Sequence, residues 1–340
     1  MATLRSDIII PEVFTPYVIE QTTQRDAFLA SGVVQPMAEL NATEGGDFIQ
    51  VPFYKANLSG DFEVLSDASS LTPGKIEADS QKGVILHRGR AFEARDLAAL
   101  ASGSDPMAAI GQKIGAYIAN QRQKDLLSCL AGVFGAVENT SSSAAFFDLT
   151  IDGESGDSPT VLSPRHVAEA KAKLGDQGEK LTAICMHSKV YYDLVERRAI
   201  DYIYDNTGAA DSDATQGSTE NAFGAVNVPT FMGLRVIVSD DVQTNGSGAS
   251  TEYATYYFTE GAVASGEQLG LQTETDRDIL AKSDAMSIDL HYCYHPVGAD
   301  WTSSTANPNR STLETVGNWA KVYELKNLGI VRSTNVSNMD

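Results

Sequence analysis

Basic residues are scarce in this chain of 340 residues, in which 25 lysines and arginines stand against 45 aspartates and glutamates. The formal net charge is −20, so a broad basic patch of the kind that binds phosphate backbones is not expected. This argues against sequence-specific recognition of DNA. The proportions of hydrophobic residues, 42%, and charged residues, 21%, are otherwise typical of a folded, soluble protein.

Cysteines and long apolar runs are also few. The three cysteines, Cys129, Cys185 and Cys293, lie far apart and in apolar contexts, which predicts buried, reduced thiols in a cytoplasm rather than a disulfide framework. Residues 1–10 contain neither a basic region nor a long apolar core, so no signal peptide is predicted. No apolar run approaches the roughly 18 residues that span a bilayer, and no membrane partner is expected.

Sequence motifs of catalysis and cofactor binding are missing as well. The chain has no glycine-rich phosphate loop, nucleophile elbow, zinc-peptidase helix or paired Cys-x-x-Cys. His291, Cys293 and His295 share one face of a predicted strand, but a structural zinc site draws its four ligands from more than one segment, and no second motif offers them. Residues 211–222 resemble a calcium loop, yet Gln216 and Ala222 occupy the positions that require Gly and Glu. We therefore predict no catalytic, cofactor-binding or metal-binding residue.

One long helix is predicted over residues 104–137, and the rest of the chain is arranged around it. Pro106 suits a first helical turn behind Ser104 or Asp105 as N-cap. A polar stretch at residues 120–125 interrupts the apolar side, and Arg122 falls on that side, where its stem could pack while its head reaches solvent. The apolar residues recur at steps of three and four or a multiple of them, which places them on one side of the helix: Met107, Ile110, Ile114, Ile118, Leu126, Leu130, Phe134 and Val137.

Two segments before this helix lack a partner within a compact domain. Residues 1–46 consist of short helical pieces broken at Gly32 and Pro36, and we interpret them as an arm whose apolar residues must lie on another surface. Residues 47–53 and 82–92 alternate with a period of two on either side of a turn-rich stretch, which predicts a long two-stranded ribbon. Because an isolated ribbon is marginal in water, it is expected to contact its own domain or a neighbouring subunit.

The chain after the long helix mixes helices and strands. Residues 138–143 and 148–158 are predicted connectors, and a mobile or exposed loop is predicted over residues 205–223. Helices are predicted at residues 164–174 and from Ser188, and strands at residues 181–186, 233–239, 251–258 and 286–295. This order indicates an α+β protein rather than a regular βαβ repeat.

Several segments, taken in order along nearly the whole chain, carry a resemblance to a known family. They are residues 28–34 (FLASGVV), 46–53 (GDFIQVPF), 186–194 (MHSKVYYDL), 233–241 (GLRVIVSDD), 275–279 (TDRDI) with the strand after it and Trp301, and 318–323 (NWAKVY) with Lys326 and Asn327. Together they resemble the major capsid proteins of tailed phages, which have the Hong Kong 97-like fold.

The resemblance implies a domain organisation. It implies an N-terminal arm over residues 1–46, an extended loop over 47–96 and a peripheral domain with a spine helix over 97–150. An axial domain over 151–270 follows, and then residues 271–340, which hold the return strands of the peripheral domain and the C-terminal segment.

The resemblance also implies partners. Copies would assemble as pentamers and hexamers into an icosahedral shell around double-stranded DNA, with a portal and often scaffolding or decoration proteins. The protein would be found in the virion after assembly in the host cytoplasm. Some family members crosslink a loop lysine to an asparagine of another subunit, but Lys55, Lys75 and Lys82 match no such motif, so no crosslink is inferred.

Two alternatives stay open beside a non-catalytic capsid protein. An encapsulin-type compartment resembles the same fold but needs a cargo-docking groove, and a cargo peptide in shells without DNA would favour it. A soluble, acidic α+β enzyme would instead be a stable, compact monomer with a well-formed pocket.

Overall fold

The computed structural model describes residues 27–41, 46–54, 62, 76–96, 106–135, 147–150, 160–204, 227–248, 251–324 and 327–339. Its helices are α1 (Ala27–Ala30), α2 (Pro106–Phe134), α3 (Pro164–Leu174), α4 (Ser188–Glu196) and α5 (Arg310–Leu313). Its strands are β1 (Val34–Pro36), β2 (Phe48–Tyr54), β3 (Ala78–Val84), β4 (Leu86–Arg95), β5 (Phe147–Thr150), β6 (Thr160–Val161), β7 (Leu181–Met186), β8 (Asp201–Tyr204), β9 (Asn227–Phe231), β10 (Leu234–Val238), β11 (Thr244–Asn245), β12 (Glu252–Thr259), β13 (Val263–Asp278), β14 (Ser283–Pro296), β15 (Ala299–Trp301), β16 (Trp319–Lys321) and β17 (Ile330–Val336). Within these ranges no helix is long and apolar enough to cross a membrane.

Helix α2 confirms the predicted long helix. It is 29 residues long, which corresponds to about 43 Å of rise. The predicted ends at residues 104 and 137 lie outside the described residues. Ile114 and Ile118 are buried on the predicted apolar side, whereas Gln112 and Lys113 are exposed. Every residue from Asp125 to Phe134 is buried. The last third of the helix is therefore buried on all sides, whereas the sequence predicted burial on one side only.

The chain divides into two compact units, and the first contains Pro36–Val133 and Val263–Glu324 among its described residues. Its main sheet is antiparallel, with strands β13, β14 and β4 in that order. The apolar side of α2 lies on this sheet, where Ile114 and Ile118 form one buried cluster with Met286 and Ile288 of β14. The sheet and the helix therefore share one small core.

The predicted ribbon is present as the antiparallel pair β2–β3, with Phe48 opposite Val84 and Tyr54 opposite Ala78. The prediction of its return strand is wrong in extent. The segment 82–92 does not form one strand, because the chain passes at Ile85 from β3 into β4, which joins the main sheet. Most of the segment expected in the ribbon thus belongs to the body of the first unit.

The second unit consists of the described residues within Asp26–Gln35, Phe134–Ala262 and Leu325–Asp340. Its mixed sheet has the strand order β5-β17-β12-β7-β10-β9-β8, with β11 beside β12 and β6 beside β17. Helices α3 and α4 cover it with a core that includes Val167, Leu174, Val190 and Leu194. The predicted succession of helix, strand and helix over residues 164–196 is confirmed.

The described part of the predicted arm packs on its own chain. Phe28, Val33 and Val34 are buried, and the Phe28 ring meets the Phe258 ring edge-on with 6.2 Å between centroids. The arm was expected to need a surface that covers its apolar residues. For these three residues, the same chain provides that surface. Residues 1–26 lie outside the described residues.

Sequence patterns missed ten of the 17 strands in the described ranges, and three of these are informative. Strand β13 is 16 residues long, but its outer part is exposed or half-buried on both faces, so no apolar alternation marks it. Strand β17 buries the polar run from Arg332 to Asn335, which is untypical of a core strand. Strand β5 occupies part of the predicted connector 148–158, and that prediction is wrong for residues 148–150. Residues 138–143, 205–223 and most of 55–75 lie outside the described residues.

Candidate functional site

A polar cavity of about 100 Å³ lies where helix α2 crosses the main sheet of the first unit. On β4 it is lined by Arg88 and Arg90, which are two residues apart and therefore share one face of the strand. The strand register places Arg88 opposite Leu290 and Arg90 opposite Ile288, and both of these β14 residues line the cavity too.

The helix supplies the other wall of the cavity. Ile118, Arg122 and Asp125 follow at steps of four and three, so they project from the same side of α2. Arg310, at the start of α5, completes the lining together with Gln121. The cavity thus brings together segments that are more than 200 residues apart in the sequence.

Asp125 is the buried centre of this arrangement, with a side chain only 1% exposed. Its Oδ1 accepts a hydrogen bond from Arg310 Nε at 2.6 Å, and its Oδ2 accepts one from Arg88 Nε at 3.1 Å. The Tyr292 hydroxyl donates to the same Oδ2 at 2.5 Å. Burial and the neighbouring Asp125 raise the pKa of Tyr292 well above its usual value, so this hydroxyl stays a donor. Both carboxylate oxygens are therefore committed to donors within the chain.

Arg122 corrects a detail of the sequence interpretation. Its side chain is only 19% exposed and its head is held by protein groups, since Nε donates to the Tyr294 hydroxyl at 2.9 Å and Nη1 lies 2.9 Å from Glu267 Oε1. The guanidinium also lies 5.2 Å from the centroid of the Tyr292 ring. Burial alone lowers the pKa of Arg122, but Tyr294 and Glu267 outweigh it and raise that pKa above its ordinary value. The positive charge is thus fixed in place.

Positive charge is in excess around the cavity. Four arginines and one aspartate line it, and Glu267 offsets only Arg122. Arg88 and Arg310 share the single carboxylate of Asp125. Arg90 is exposed and has no hydrogen bond or ion pair to any residue within the described ranges. The cavity is a cationic spot on a strongly acidic chain.

The histidine and cysteine residues that alternate on β14 are not gathered around a metal position. The His291 ring contacts the His87 ring at a tilted angle, with 4.2 Å between centroids, whereas His295 is buried and its Nε2 lies 3.1 Å from Gln81 Oε1. In the ranges that the structure describes, no group of three or more His, Cys, Asp or Glu residues is placed to hold a metal.

All three cysteines are free and buried, as the sequence predicts. Burial raises the pKa of the Cys293 thiol to about 12. Burial also raises the pKa of Cys185 and Cys129 above the usual range. These thiols are therefore inert at neutral pH.

The ribbon β2–β3 is held along its length by other parts of the first unit, and large apolar side chains near its outer end are exposed. The Lys82 amide donates to Asp300 Oδ1 at 2.7 Å, and Gln81 Nε2 donates to the Tyr323 hydroxyl at 2.7 Å. Near the outer end, the Phe53 and Tyr323 rings lie 4.8 Å apart. Large apolar side chains face solvent at Tyr54, the last residue of β2, and at two described residues of the segment between the strands. Their exposed fractions are 77% for Tyr54 and 64% for Ile76, and Phe62 is fully exposed.

A second exposed apolar feature lies at the turn between β13 and β14. Ile279 and Leu280 are 80% and 97% exposed. The turn is ordered by its own polar groups, since Asp278 Oδ1 accepts from the amides of Leu280 and Ala281 at 2.8 and 3.0 Å.

Comparisons with known proteins point to one class. A family model described as "Major capsid protein 13-like" matches residues 12–329. A protein of Bacillus phage SPP1 described as "Major capsid protein" is 36% identical over 337 residues, which cover 96% of each chain.

Solved structures show the same likeness in fold. The capsid asymmetric unit of cyanophage Pam1 has a TM-score of 0.57 at 12% identity and covers 93% of both chains. The capsid of Ralstonia phage GP4 has a TM-score of 0.52 at 10% identity, with 90% of this chain and 87% of that chain covered.

Proposed function

This chain belongs to the phage capsid family described as Major capsid protein 13-like, and on that premise we propose how it builds a shell. It is the major capsid protein of a tailed phage, has the Hong Kong 97-like fold and is located in the capsid of the virion. Copies of the chain associate with one another to form that capsid.

The proposed assembly is an icosahedral shell of pentamers and hexamers. The observation that carries it is the ribbon, which Lys82 ties to Asp300 while Tyr54 at the end of β2, and Phe62 and Ile76 between the two strands, face solvent. Large exposed side chains on a two-stranded ribbon are stabilised when another surface covers them. Sister copies supply that surface in the shell.

We propose the domain assignment that the family resemblance implies. Residues 1–46 form the arm, 47–96 the extended loop, 97–150 the peripheral domain with helix α2 as its spine, 151–270 the axial domain, and 271–340 the return strands and C-terminal segment. The packing of α2 on β14 supports placing the helix and the return strands in one domain.

The remaining partners in this proposal are a portal, packaged double-stranded DNA and, in some stages, scaffolding or decoration proteins. The net charge of −20 supports contacts with DNA that are weak and independent of sequence. Such contacts allow a long genome to move as it is packaged.

The chain acts in this proposal without catalysis. The buried carboxylate in its polar cavity, Asp125, has both oxygens engaged by Arg88, Arg310 and Tyr292, which leaves it no role as a base. The function consists of many repeated contacts between copies.

Expression of the chain alone, followed by negative-stain electron microscopy, tests the proposal. We expect closed shells or their pentamer and hexamer intermediates. Protein that stays a compact monomer at every concentration and salt condition would overturn it.

A further inference from the structure

The cationic cavity between α2 and the main sheet has a use that the shell function does not itself specify. We propose that it receives the carboxylate of an aspartate or glutamate side chain from a second copy of this chain, with Arg90 as the principal contact. The inference rests on the proposed shell function, because it requires two copies to meet.

The charges that line the cavity favour an anion. Asp125 is shared by Arg88 and Arg310, and Glu267 satisfies Arg122, so the lining retains an excess of positive charge at Arg90 and at the Arg88–Arg310 pair. A guanidinium binds a carboxylate through two parallel hydrogen bonds. Arg90 is exposed and has no polar partner within the described residues, so both of its donor edges are available.

The size and position of the cavity favour a side chain over a nucleic acid. A volume of about 100 Å³ holds a few water molecules or one small head group, since a water occupies about 30 Å³ of liquid. A phosphate backbone is bound by a stripe of cations along a surface, whereas these four arginines line one recess together with the buried Asp125. The recess therefore suits a single projecting group.

The composition of the chain identifies the occupant. Each copy carries 45 acidic residues against 25 basic ones, so a neighbouring copy presents carboxylates far more often than it presents cations. In a shell the local concentration of copies is high, and a charge-assisted pair at a recess fixes how two acidic surfaces meet despite their repulsion.

A carbodiimide crosslinking experiment tests this inference. In shells of the Arg90→Lys variant, the new amine keeps the positive charge and lies within reach of the incoming carboxylate. The carbodiimide takes up the oxygen lost from that carboxylate and leaves as a urea, so an amide bond joins the Nζ of the introduced lysine to the carboxyl carbon. Shells are assembled from equal parts of ¹⁵N-labelled and unlabelled protein, and mixed-isotope crosslinked peptides identify bonds between copies.

The matched control is Arg95→Lys, on the same strand. Arg95 is exposed like Arg90 but does not line the cavity. We expect several-fold more mixed-isotope crosslinks to an Asp or Glu at position 90 than at position 95, in empty shells as well as filled ones, and none in dispersed protein.

Other outcomes of the crosslinking contradict the inference. Equal yields at positions 90 and 95, or crosslinks at 90 that join residues of one copy only, overturn it while leaving the shell function intact. Crosslinks that appear only in DNA-filled shells also overturn it, because they make the recess a feature of packaging. Failure of the wild type to form shells is a separate result that overturns the proposed function.

Discussion

At the scale of single residues, Asp125 joins three distant parts of the first unit. It accepts from Arg88 on β4, Tyr292 on β14 and Arg310 on α5. The sequence places it in a polar stretch of the helix and gives no sign that it is buried. Its partner Arg310 is 185 residues away, so only the folded chain shows that the two groups meet.

Replacement of this carboxylate is the first prediction. Asp125→Asn keeps the shape of the side chain but leaves two arginines facing each other without a counter-charge. Because removing one partner of a buried ion pair costs about 3 kcal/mol or more, we expect a loss of that size in the free energy of unfolding, measured by denaturant titration of unassembled protein. The exposed Asp176→Asn is the control and should change little. Equal stability of the two variants would show that Asp125 is not the central acceptor.

His295 provides the second prediction, which concerns pH. The side chain is 3% exposed, and burial lowers its pKa from 6.5 to about 4. Between these values the unfolded chain binds a proton that the folded chain excludes. Stability contributed by neutral His295 is therefore fully present above about pH 6.5 and is lost as the pH falls towards 4, by about 3 kcal/mol in total.

Comparison with His295→Leu isolates this contribution from that of the carboxylates. The free energy of unfolding of the wild type should fall more steeply between pH 6.5 and 4 than that of the variant. Parallel curves for the two proteins would mean that folding does not shift the pKa of His295.

At the scale of elements, helix α2 is the most predictable feature of the molecule. Its repeated apolar spacing is a local signal, and Ile114 and Ile118 are buried on the side of the helix that this spacing predicts. The third prediction is that Ile114→Asp lowers the free energy of unfolding by several kcal/mol, because it buries a charge beside Ile118, Met286 and Ile288. Thermal unfolding measures the loss. Gln112→Asp, on the exposed side, should leave the melting temperature nearly unchanged.

Gly132 gives the fourth prediction, at the point where α2 meets Leu313 at the end of α5 and Trp319 of β16. A Cβ at this position would clash with the carbonyl of Leu313 and lie 2.5 Å from Trp319 Nε1, where the Trp319 indole donates to that same carbonyl at 2.7 Å. Glycine to alanine inside a helix ordinarily stabilises by about 0.5–1 kcal/mol. We expect Gly132→Ala to destabilise instead, in chemical unfolding.

The sign of the effect decides this prediction. Ala109→Gly, at an exposed position of the same helix, measures the effect of helix propensity alone. It should lower the free energy of unfolding by about 1 kcal/mol. If Gly132→Ala raised stability by a similar amount, the helix and the segment around Leu313 would not approach so closely.

The ribbon and the missed strands show why other elements were harder to predict from the sequence. The start of β2 shows a clear alternation of apolar and polar residues. The division of segment 82–92 at Ile85, however, depends on which sheet each half joins, and contacts with residues far away in the sequence determine this. Strand β13 is specified by its pairing with β14 rather than by a buried face. Pairing of this kind leaves no periodic trace in the sequence.

At the scale of the whole molecule, the fifth prediction separates folding from assembly. Tyr54 is 77% exposed on the ribbon, so Tyr54→Ser should leave the unfolding of unassembled protein unchanged while reducing the yield of closed shells. Tyr54→Phe keeps the ring and should form shells normally. Light scattering and electron microscopy measure the yield. Normal shells from Tyr54→Ser would mean that no sister copy covers this side chain.

The overall class of the molecule was predictable because several ordered segments carry the resemblance, whereas the cationic cavity was not. Its lining residues come from β4, α2, β14 and α5, and each arginine on its own is an ordinary surface residue in the sequence. The four arginines come together only because helix α2 crosses the sheet in the folded chain. A search for arginines at alternate strand positions, such as 88 and 90, would have given the one local hint.

The sealed thiols have a practical consequence for particles made from this chain. Because all three native cysteines are buried and protonated at neutral pH, a maleimide dye offered to intact shells finds no reactive native sulfur. A cysteine introduced at an exposed position such as Tyr192 then becomes a unique handle on every copy. A label or cargo molecule can then be attached at one chosen position per subunit without first replacing the native cysteines.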